Sequence, residues 1–123
     1  MNLNTKRILL VEDDDGCVSV FQFDIGRKAE VIVASTVDDV LQAFQQRGPF
    51  DLIVMDGYIS GNADTTELTR LISTQFNGPI IANSANPDQQ ARLMEAGCSH
   101  HNAGQKGITA RMALRLLGIR STG

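Results

Sequence analysis

The sequence predicts an α/β fold: a three-layer sandwich in which a five-stranded parallel sheet lies between two layers of helices, five helices in all. Three observations predict it. Short apolar runs alternate with segments of helical period along the chain. The apolar runs are continuous, as in strands that are buried on both faces. Strands that alternate with helices are joined by right-handed crossovers, which make the sheet parallel.

Four strands are predicted from apolar runs and a fifth from a weaker pattern. The runs are Arg7–Val11, Glu30–Ala34, 51–55 and 79–82. The fifth strand is expected within 98–103, where two histidines and an asparagine interrupt the apolar character. The first four strands therefore define the sheet, and the fifth follows from the alternation.

Helices fill the segments between the runs. Residues 16–28 form the first helix by their place in the alternation, although their composition is β-prone. The second helix carries an apolar stripe that starts at Val37 and recurs at i+3, i+4 and i+7. Ser35 or Thr36 is its expected cap, and Gly48 is expected to end it.

The last three helices are marked by caps, a proline and a glycine. The third follows a cap at Asp64 or Thr65. Its apolar stripe consists of Leu68, Leu71 and Ile72. The fourth is Pro87–Ala96, with proline in its first turn and Gly97 after its end. The fifth spans 108–117, which completes the alternation.

Length and composition indicate one domain over 1–123, with a core of about 5–118 and a short tail at 119–123 that is too brief for an output function. A net charge of −3 argues against binding to nucleic acid or to a membrane surface. Neither a signal peptide nor a membrane-spanning run is evident, so a cytoplasmic location is expected. Cys17 and Cys98 are interpreted as small apolar residues in a reducing compartment, with a redox pair as the alternative.

Polar side chains follow the predicted strands where the strands end. They are Glu12, Asp13, Asp14 and Asp15 after the first, Asp56 and Gly57 after the third, Asn83 and Ser84 after the fourth, and Lys106 after the fifth. Ligands bind to open parallel sheets beyond the carboxyl ends of the strands. Any one of these acids alone is more often a solvated loop residue or a helix cap, but four matching strand ends favour a site.

The chemistry of this set is specific. Three clustered carboxylates repel one another, and a divalent cation relieves that repulsion. Mg²⁺ leaves room for phosphate oxygens when few carboxylates hold it. A carboxylate beside the metal can attack phosphorus to form an acyl phosphate, while a hydroxyl and an ammonium bind the transferred oxygens. Gly57 would let backbone amides come close.

Four segments, ILLVEDDD, DLIVMDGYISG, PIIANSA and EAGCSHH, match in order and spacing a known pattern. Over nearly its whole length the chain resembles the response-regulator receiver family, whose chemotaxis-regulator-like members act in two-component signal transduction. The resemblance implies the flavodoxin-like strand order 2-1-3-4-5. It also implies a phosphoprotein that catalyses its own aspartyl phosphorylation and dephosphorylation, rather than an enzyme acting on separate substrates.

The resemblance implies roles for individual residues. Asp13 and Asp56 would bind Mg²⁺ directly, Glu12 would act mostly through water, and the Tyr58 carbonyl would supply a further ligand. Asp56 would take the phosphoryl group from a phosphohistidine on a histidine kinase or a phosphotransfer protein. Ser84 would then contact the phosphoryl oxygens and reposition a face that binds a downstream protein target.

The position of the family's lysine is ambiguous here. Counted from Gly97 it falls on Gly104, and counted from Ser84 it falls on Lys106. The counts agree only if the fourth helix is about two residues shorter and the following segment correspondingly longer. Lys106 is the preferred assignment because an amine there completes the site, and loss of the lysine is the alternative.

Other family positions also differ. Gly107 and Ser60 stand where prolines are usual, and an Asp-Gly pair is missing from 61–65. His101 or Ala103 occupies the place of the switch aromatic, depending on which count is right. These departures concern the positions that couple phosphorylation to partner binding in the family that the chain resembles.

Two further features remain open. Tyr58 either gates access to the phosphoryl group or is a loop aromatic that covers the site. His100 and His101 would point to opposite faces of a strand, which disfavours a shared metal. His101 is then either a partner contact or a surface residue.

Three other functions compete with an active receiver. A pseudo-receiver would keep the fold and signal by binding without phosphate. A haloacid-dehalogenase-like hydrolase would need a second aspartate where Tyr58 stands. A flavin carrier would need a Ser-, Thr- and Gly-rich loop after the first strand, where this chain has acids.

Overall fold

The computed structural model describes residues 5–120. Within them the strands are β1 (Arg7–Val11), β2 (Glu30–Ala34), β3 (Leu52–Asp56), β4 (Tyr58–Ile59), β5 (Ala63–Asp64), β6 (Ile80–Asn83) and β7 (His100–His101). The helices are α1 (Asp15–Ile25), α2 (Val37–Gln46), α3 (Thr66–Ser73), α4 (Pro87–Ala96) and α5 (Thr109–Leu116), with a 3-10 turn at Lys106–Ile108. The expectations for the first four residues and for 121–123 in the tail lie outside the described residues.

The main sheet has five parallel strands in the order β2-β1-β3-β6-β7. Numbering only these five strands gives the order 2-1-3-4-5, so the predicted fold class and topology are confirmed. The register pairs Val11 with Met55 and Asp56 with Asn83. The ends of β1, β3 and β6 therefore lie side by side at one edge of the sheet.

The two faces of the sheet carry separate apolar cores. Alternate side chains of β1 and β3, such as Leu9 and Ile53, pack under α2, α3 and α4. The side chains between them, such as Leu10 and Val54, pack under α1 and α5. These strands are buried on both faces, which explains their continuous apolar sequence.

The element bounds agree with the predicted ones to within a few residues, with two refinements. Thr36 is the cap of α2, because its hydroxyl accepts a hydrogen bond from the Asp39 N–H at 3.0 Å. Before α3, Asp64 accepts from the Thr66 N–H at 2.8 Å, whereas Thr65 makes no side-chain cap bond. The α2 helix ends at Gln46 with Arg47 as its C-cap, and the predicted glycine, Gly48, directly follows the cap.

Two features differ from the sequence prediction. The segment after β3 forms an antiparallel hairpin of β4 and β5, whose reversal places Gly61 and Asn62 at positive φ. Of the weak fifth run, only β7 is strand. No helix within residues 5–120 is long and apolar enough to cross a membrane.

Candidate functional site

The acidic residues predicted to share a site do lie together. Glu12 and Asp13 follow β1, and Asp56 ends β3, which pairs directly with β1. One carboxylate oxygen from each of the three lies within 4.8 Å of the others. Glu12 is only 2% exposed and Asp56 8% exposed, whereas Asp13 faces solvent. Two buried acids and one exposed acid therefore form a cluster that opens to water.

Burial changes the protonation of Asp56. Removal from water, followed by the closeness of the Glu12 carboxylate, raises the pKa of Asp56 to about 7. Attraction to Lys106 and a hydrogen bond from the Gly57 N–H oppose the rise, the latter at 2.8 Å to Asp56 Oδ1. In the ion-free protein, the cluster disfavours full ionisation, which a bound cation would restore.

Lys106 completes the cluster from another element. Its Nζ lies 3.5 Å from Asp56 Oδ1 and 3.5 Å from Glu12 Oε1. Burial lowers the pKa of Lys106, but attraction to Asp56 and Glu12 outweighs burial, so this pKa lies above its ordinary value. Gly104, the other candidate position, lies at φ 76 in the turn before Lys106. The amine at the site is thus that of Lys106.

The hydroxyl of Ser84 lies at the same edge. Ser84 directly follows Asn83, the register partner of Asp56. It is 5% exposed, and its Oγ accepts a hydrogen bond from the Asn86 N–H at 3.2 Å. A Cβ on Gly57 would lie 3.3 Å from this Oγ. The hydroxyl therefore borders the backbone that follows Asp56.

Several solved structures have the same fold. A two-component response regulator from Clostridium difficile aligns with TM-score 0.78 and 17% identity over 97% of this chain and 100% of that chain. A CheY-like receiver domain protein from Methanospirillum hungatei JF-1 aligns with TM-score 0.65 and 19% identity, covering 94% and 95%.

The receiver domain of a sensor histidine kinase from Pseudomonas aeruginosa PAO1 aligns with TM-score 0.74 and 25% identity over 93% of this chain and 98% of that chain. That structure holds a magnesium ion in its active-site cleft. This chain has the receiver-domain fold. No family model and no curated protein sequence matches it.

Buried polar side chains surround the turn before Lys106. Asn102 is fully buried, and its Nδ2 donates to Asn83 Oδ1 at 2.6 Å and to Thr109 Oγ1 at 3.1 Å. Thr109 Oγ1 also donates to Asn83 Oδ1 at 2.9 Å. Asn102 Oδ1 accepts from the Gly104 N–H at 2.9 Å. Buried polar side chains thereby fix the turn that carries Lys106.

The Tyr58 hydroxyl is held by side chains of α4. The Tyr58 OH accepts from Arg92 Nη2 at 3.2 Å and lies 3.5 Å from Gln89 Oε1. Its phenol ring therefore bridges the residues after Asp56 to α4. This arrangement matches a loop aromatic that is held in place.

The remaining candidates are not members of the group of three potential metal ligands. His101, on the edge strand β7, is exposed, and its Nδ1 accepts from the Ala103 N–H at 3.0 Å. Within residues 5–120, the acidic cluster is the one group of three potential metal ligands that lie close enough together, and neither histidine joins it. Cys17 and Cys98 are both free thiols.

Gln89, Asn102 and Thr109 were not predicted from the sequence as residues that shape the site. Gln89 occupies a core position of α4, in register with Leu93 and Ala96 at i+4 and i+7. A polar residue on an apolar stripe was the available signal. Asn102 gave no comparable signal, because its partners come from β6 and α5.

Proposed function

We propose that this chain, as a single domain over 1–123, is a cytoplasmic phosphoacceptor receiver of a two-component or phosphorelay system. Asp56 accepts a phosphoryl group from a phosphohistidine on a histidine kinase or a phosphotransfer protein. The observation that carries the proposal is the cluster of three carboxylates within 4.8 Å, with the Lys106 amine 3.5 Å from Asp56. Carboxylates that can bind a cation and an ammonium that can bind phosphate oxygens therefore lie beside the same nucleophile, Asp56.

The residues present fit a magnesium ion. Glu12, Asp13 and Asp56 offer hard oxygen ligands, and the Tyr58 carbonyl is a fourth candidate. Asp13 is exposed, so water and phosphate oxygens can complete the coordination. Burial, followed by the nearby Glu12 carboxylate, raises the pKa of Asp56 to about 7, so a negative charge on Asp56 is costly unless a cation lies beside it. A bound Mg²⁺ would neutralise that charge and the charge of the phosphoryl oxygens.

The protein's own groups account for the transfer. An Asp56 carboxylate oxygen attacks phosphorus, so that a P–O bond forms as the P–N bond to the partner's histidine breaks. The Lys106 ammonium lies where it can bind a phosphoryl oxygen as the carboxylate loses its charge. The Gly57 N–H, already directed at Asp56 Oδ1, holds the nucleophile in one orientation.

Ser84 is the proposed link to a partner. Within residues 5–120, its hydroxyl is hydrogen-bonded only to the backbone of Asn86, in bonds of 3.2 and 3.4 Å. A phosphoryl group on Asp56 offers a charged acceptor for that hydroxyl. The move would shift the start of α4 between two states and alter the face that meets a downstream protein.

The test is incubation with acetyl phosphate and Mg²⁺, followed by intact mass spectrometry. We expect one phosphoryl adduct in the wild type and none in Asp56→Asn or without Mg²⁺. Asp88→Asn, an exposed acid on α4, is the matched control and keeps the adduct. A wild type that binds Mg²⁺ and gains no adduct at saturating acetyl phosphate would overturn the proposal.

A pseudo-receiver is the second candidate, and one observation favours it. The place of the family's switch aromatic falls on His101 or Ala103; both side chains are exposed, and neither is a phenylalanine or a tyrosine. His101 is bonded to its own turn. In that case the chain binds its partner without phosphate. Partner binding that is equal in wild type and Asp56→Asn would support this second function.

A further inference from the structure

Gln89 is a fully buried glutamine in the first turn of α4, directly behind the residues that follow Asp56. Its backbone N–H donates to Asn86 Oδ1 at 3.0 Å as part of the helix cap. The side-chain amide takes no part in that cap. A glutamine amide is costly to bury unless both of its ends are hydrogen-bonded. The partners of this amide therefore reveal its role.

One end of the Gln89 amide binds the acceptor loop, which we define as residues 57–66. Nε2 donates to the Gly57 carbonyl at 2.9 Å and to Asp64 Oδ1 at 2.9 Å. A carbonyl and a carboxylate can only accept, so the amide nitrogen must face them. Hydrogen bonds from Thr66 and then from Gln89 lower the pKa of Asp64, which keeps that acceptor ionised.

The oxygen of the amide is bound by an arginine at the protein surface. Gln89 Oε1 accepts from Arg92 Nε at 2.7 Å, and Arg92 Nη2 donates to the Tyr58 OH at 3.2 Å. Arg92 is exposed on α4. A chain of hydrogen bonds therefore runs from the backbone beside Asp56, through a buried amide, to a charged side chain that a partner can touch.

Gly57 and Gln89 are sterically matched. A Cβ at position 57 would lie 2.5 Å from Gln89 Cγ, too close for any side chain. Gly57 does not have a positive φ, so the backbone conformation does not require glycine there. The close approach of Gln89 is what requires it.

We propose that Gln89 is a positioning residue that couples the acceptor loop to α4, to the exposed Arg92 and to the half-buried Tyr58. A change of charge at Asp56 moves the Gly57 peptide, which Asp56 Oδ1 binds through its N–H and Gln89 binds through its carbonyl. The displacement passes through the amide to Arg92. Its biological purpose rests on the proposed function, since phosphorylation would be the natural change at Asp56.

Loss of the amide leaves the loop partly supported. The Gly57 carbonyl also accepts from the Thr65 N–H at 3.0 Å and from its hydroxyl at 3.1 Å. A Gln89→Leu variant therefore removes the link without leaving that carbonyl unpaired. Gln89→Met, with an unbranched chain of similar length, serves if the leucine variant does not fold.

The experiment measures the changes in backbone amide NMR chemical shifts that Asp56→Asn causes. The substitution is made in the wild type, in Gln89→Leu and in Gln90→Leu. In the wild-type background we expect shift changes in the loop and across α4. In Gln89→Leu the changes in α4 should fall severalfold, while those in β3 persist. Gln90→Leu is the matched control, because Gln90 lies next on the same helix and instead accepts from the Gly104 N–H at 3.1 Å. It should keep the wild-type pattern.

Equal α4 responses in wild type and Gln89→Leu, or no α4 response in the wild type, would overturn the inference. This measurement needs neither Mg²⁺ nor phosphate, so it stands even if the phosphorylation test fails. A second readout is Tyr58, the single tyrosine of a chain without tryptophan. Its fluorescence should change with Asp56→Asn in the wild-type background and much less in Gln89→Leu.

Discussion

The acidic and the basic halves of the site are built in different ways. Glu12, Asp13 and Asp56 stand at the ends of β1 and β3, whose apolar side chains are fully buried. Lys106 follows a two-residue edge strand and is carried by a 3-10 turn. Apolar packing sets the position of the acids, whereas buried hydrogen bonds from Asn102 set the position of the amine.

The two halves of the site respond differently to substitutions. Close-packed strands deform little, so damage to β1 or β3 is damage to the whole fold. The turn before Lys106 depends on a few polar contacts, each of modest strength. We therefore expect the acids to keep their positions until the whole domain unfolds. Lys106 should be displaced by local changes in its turn while the rest of the domain stays folded.

Ile53→Ala tests the packed half and should have the largest effect. Ile53 is fully buried in the centre of β3. Its truncation should lower the free energy of unfolding by about 2–5 kcal/mol, through lost burial and a cavity. Urea denaturation measures it. Leu71→Ala, at a side chain that is 49% exposed, is the control and should change far less. Equal losses would contradict the comparison.

Asn102→Ala tests the hydrogen-bonded half. It leaves Asn83 Oδ1 with only Thr109 as donor and frees the turn before Lys106. We expect a loss of about 1–3 kcal/mol in urea denaturation, from buried groups that lose partners. The exposed Asn77 gives the matched control, Asn77→Ala. A loss no larger than that of the control would show that packing alone holds this turn.

Asp56→Asn should raise the stability of the protein, whereas the two preceding substitutions lower it. The folded-state pKa of Asp56, about 7, lies above its ordinary value of 3.8, so ionisation costs stability as pH rises between these values. Without Mg²⁺ the variant should be more stable by about 1–2 kcal/mol at pH 8. The gain should vanish near pH 4, where the wild-type carboxyl is protonated.

Thermal melts of both proteins with and without Mg²⁺ measure this effect. Added Mg²⁺ should stabilise the wild type more than the variant and close the gap at pH 8. A variant that is less stable than the wild type at pH 8 in the absence of Mg²⁺ would contradict the proposed repulsion.

Lys106→Gln should have the smallest effect on stability, within about 1 kcal/mol, since the ammonium is partly exposed. Attraction to Lys106 lowers the pKa of Asp56, so the variant should titrate Asp56 at higher pH. NMR titration of its carboxyl carbon measures the shift. Lys6→Gln, at an exposed lysine, is the control and should leave the titration unchanged. If Asp56 titrates at the same pH in Lys106→Gln as in the wild type, the proposed electrostatic interaction between the Lys106 ammonium and Asp56 is contradicted.

Sequence reasoning predicted the packed half far better than the hydrogen-bonded half. Arg7–Val11 and Glu30–Ala34 agree residue for residue with β1 and β2, because continuous apolar runs leave few alternatives. The strand predicted within 98–103 shrank to His100–His101, since its polar side chains bond across the fold. Counting from Gly97 and counting from Ser84 placed the family's lysine at different positions. The sequence did not predict the turn at Ala103 and Gly104, which lies between the last strand and Lys106.

The fold class, the acids at two strand ends and, through the resemblance, the strand order follow from the sequence alone, because periodicity and order along the chain are local properties. The amine that reaches Asp56 and the side chain that lies behind Gly57 are known from the folded structure. Those contacts join residues such as Gln89 and Gly57, which lie 32 positions apart. Their partners are chosen by packing, and a linear pattern does not carry that information.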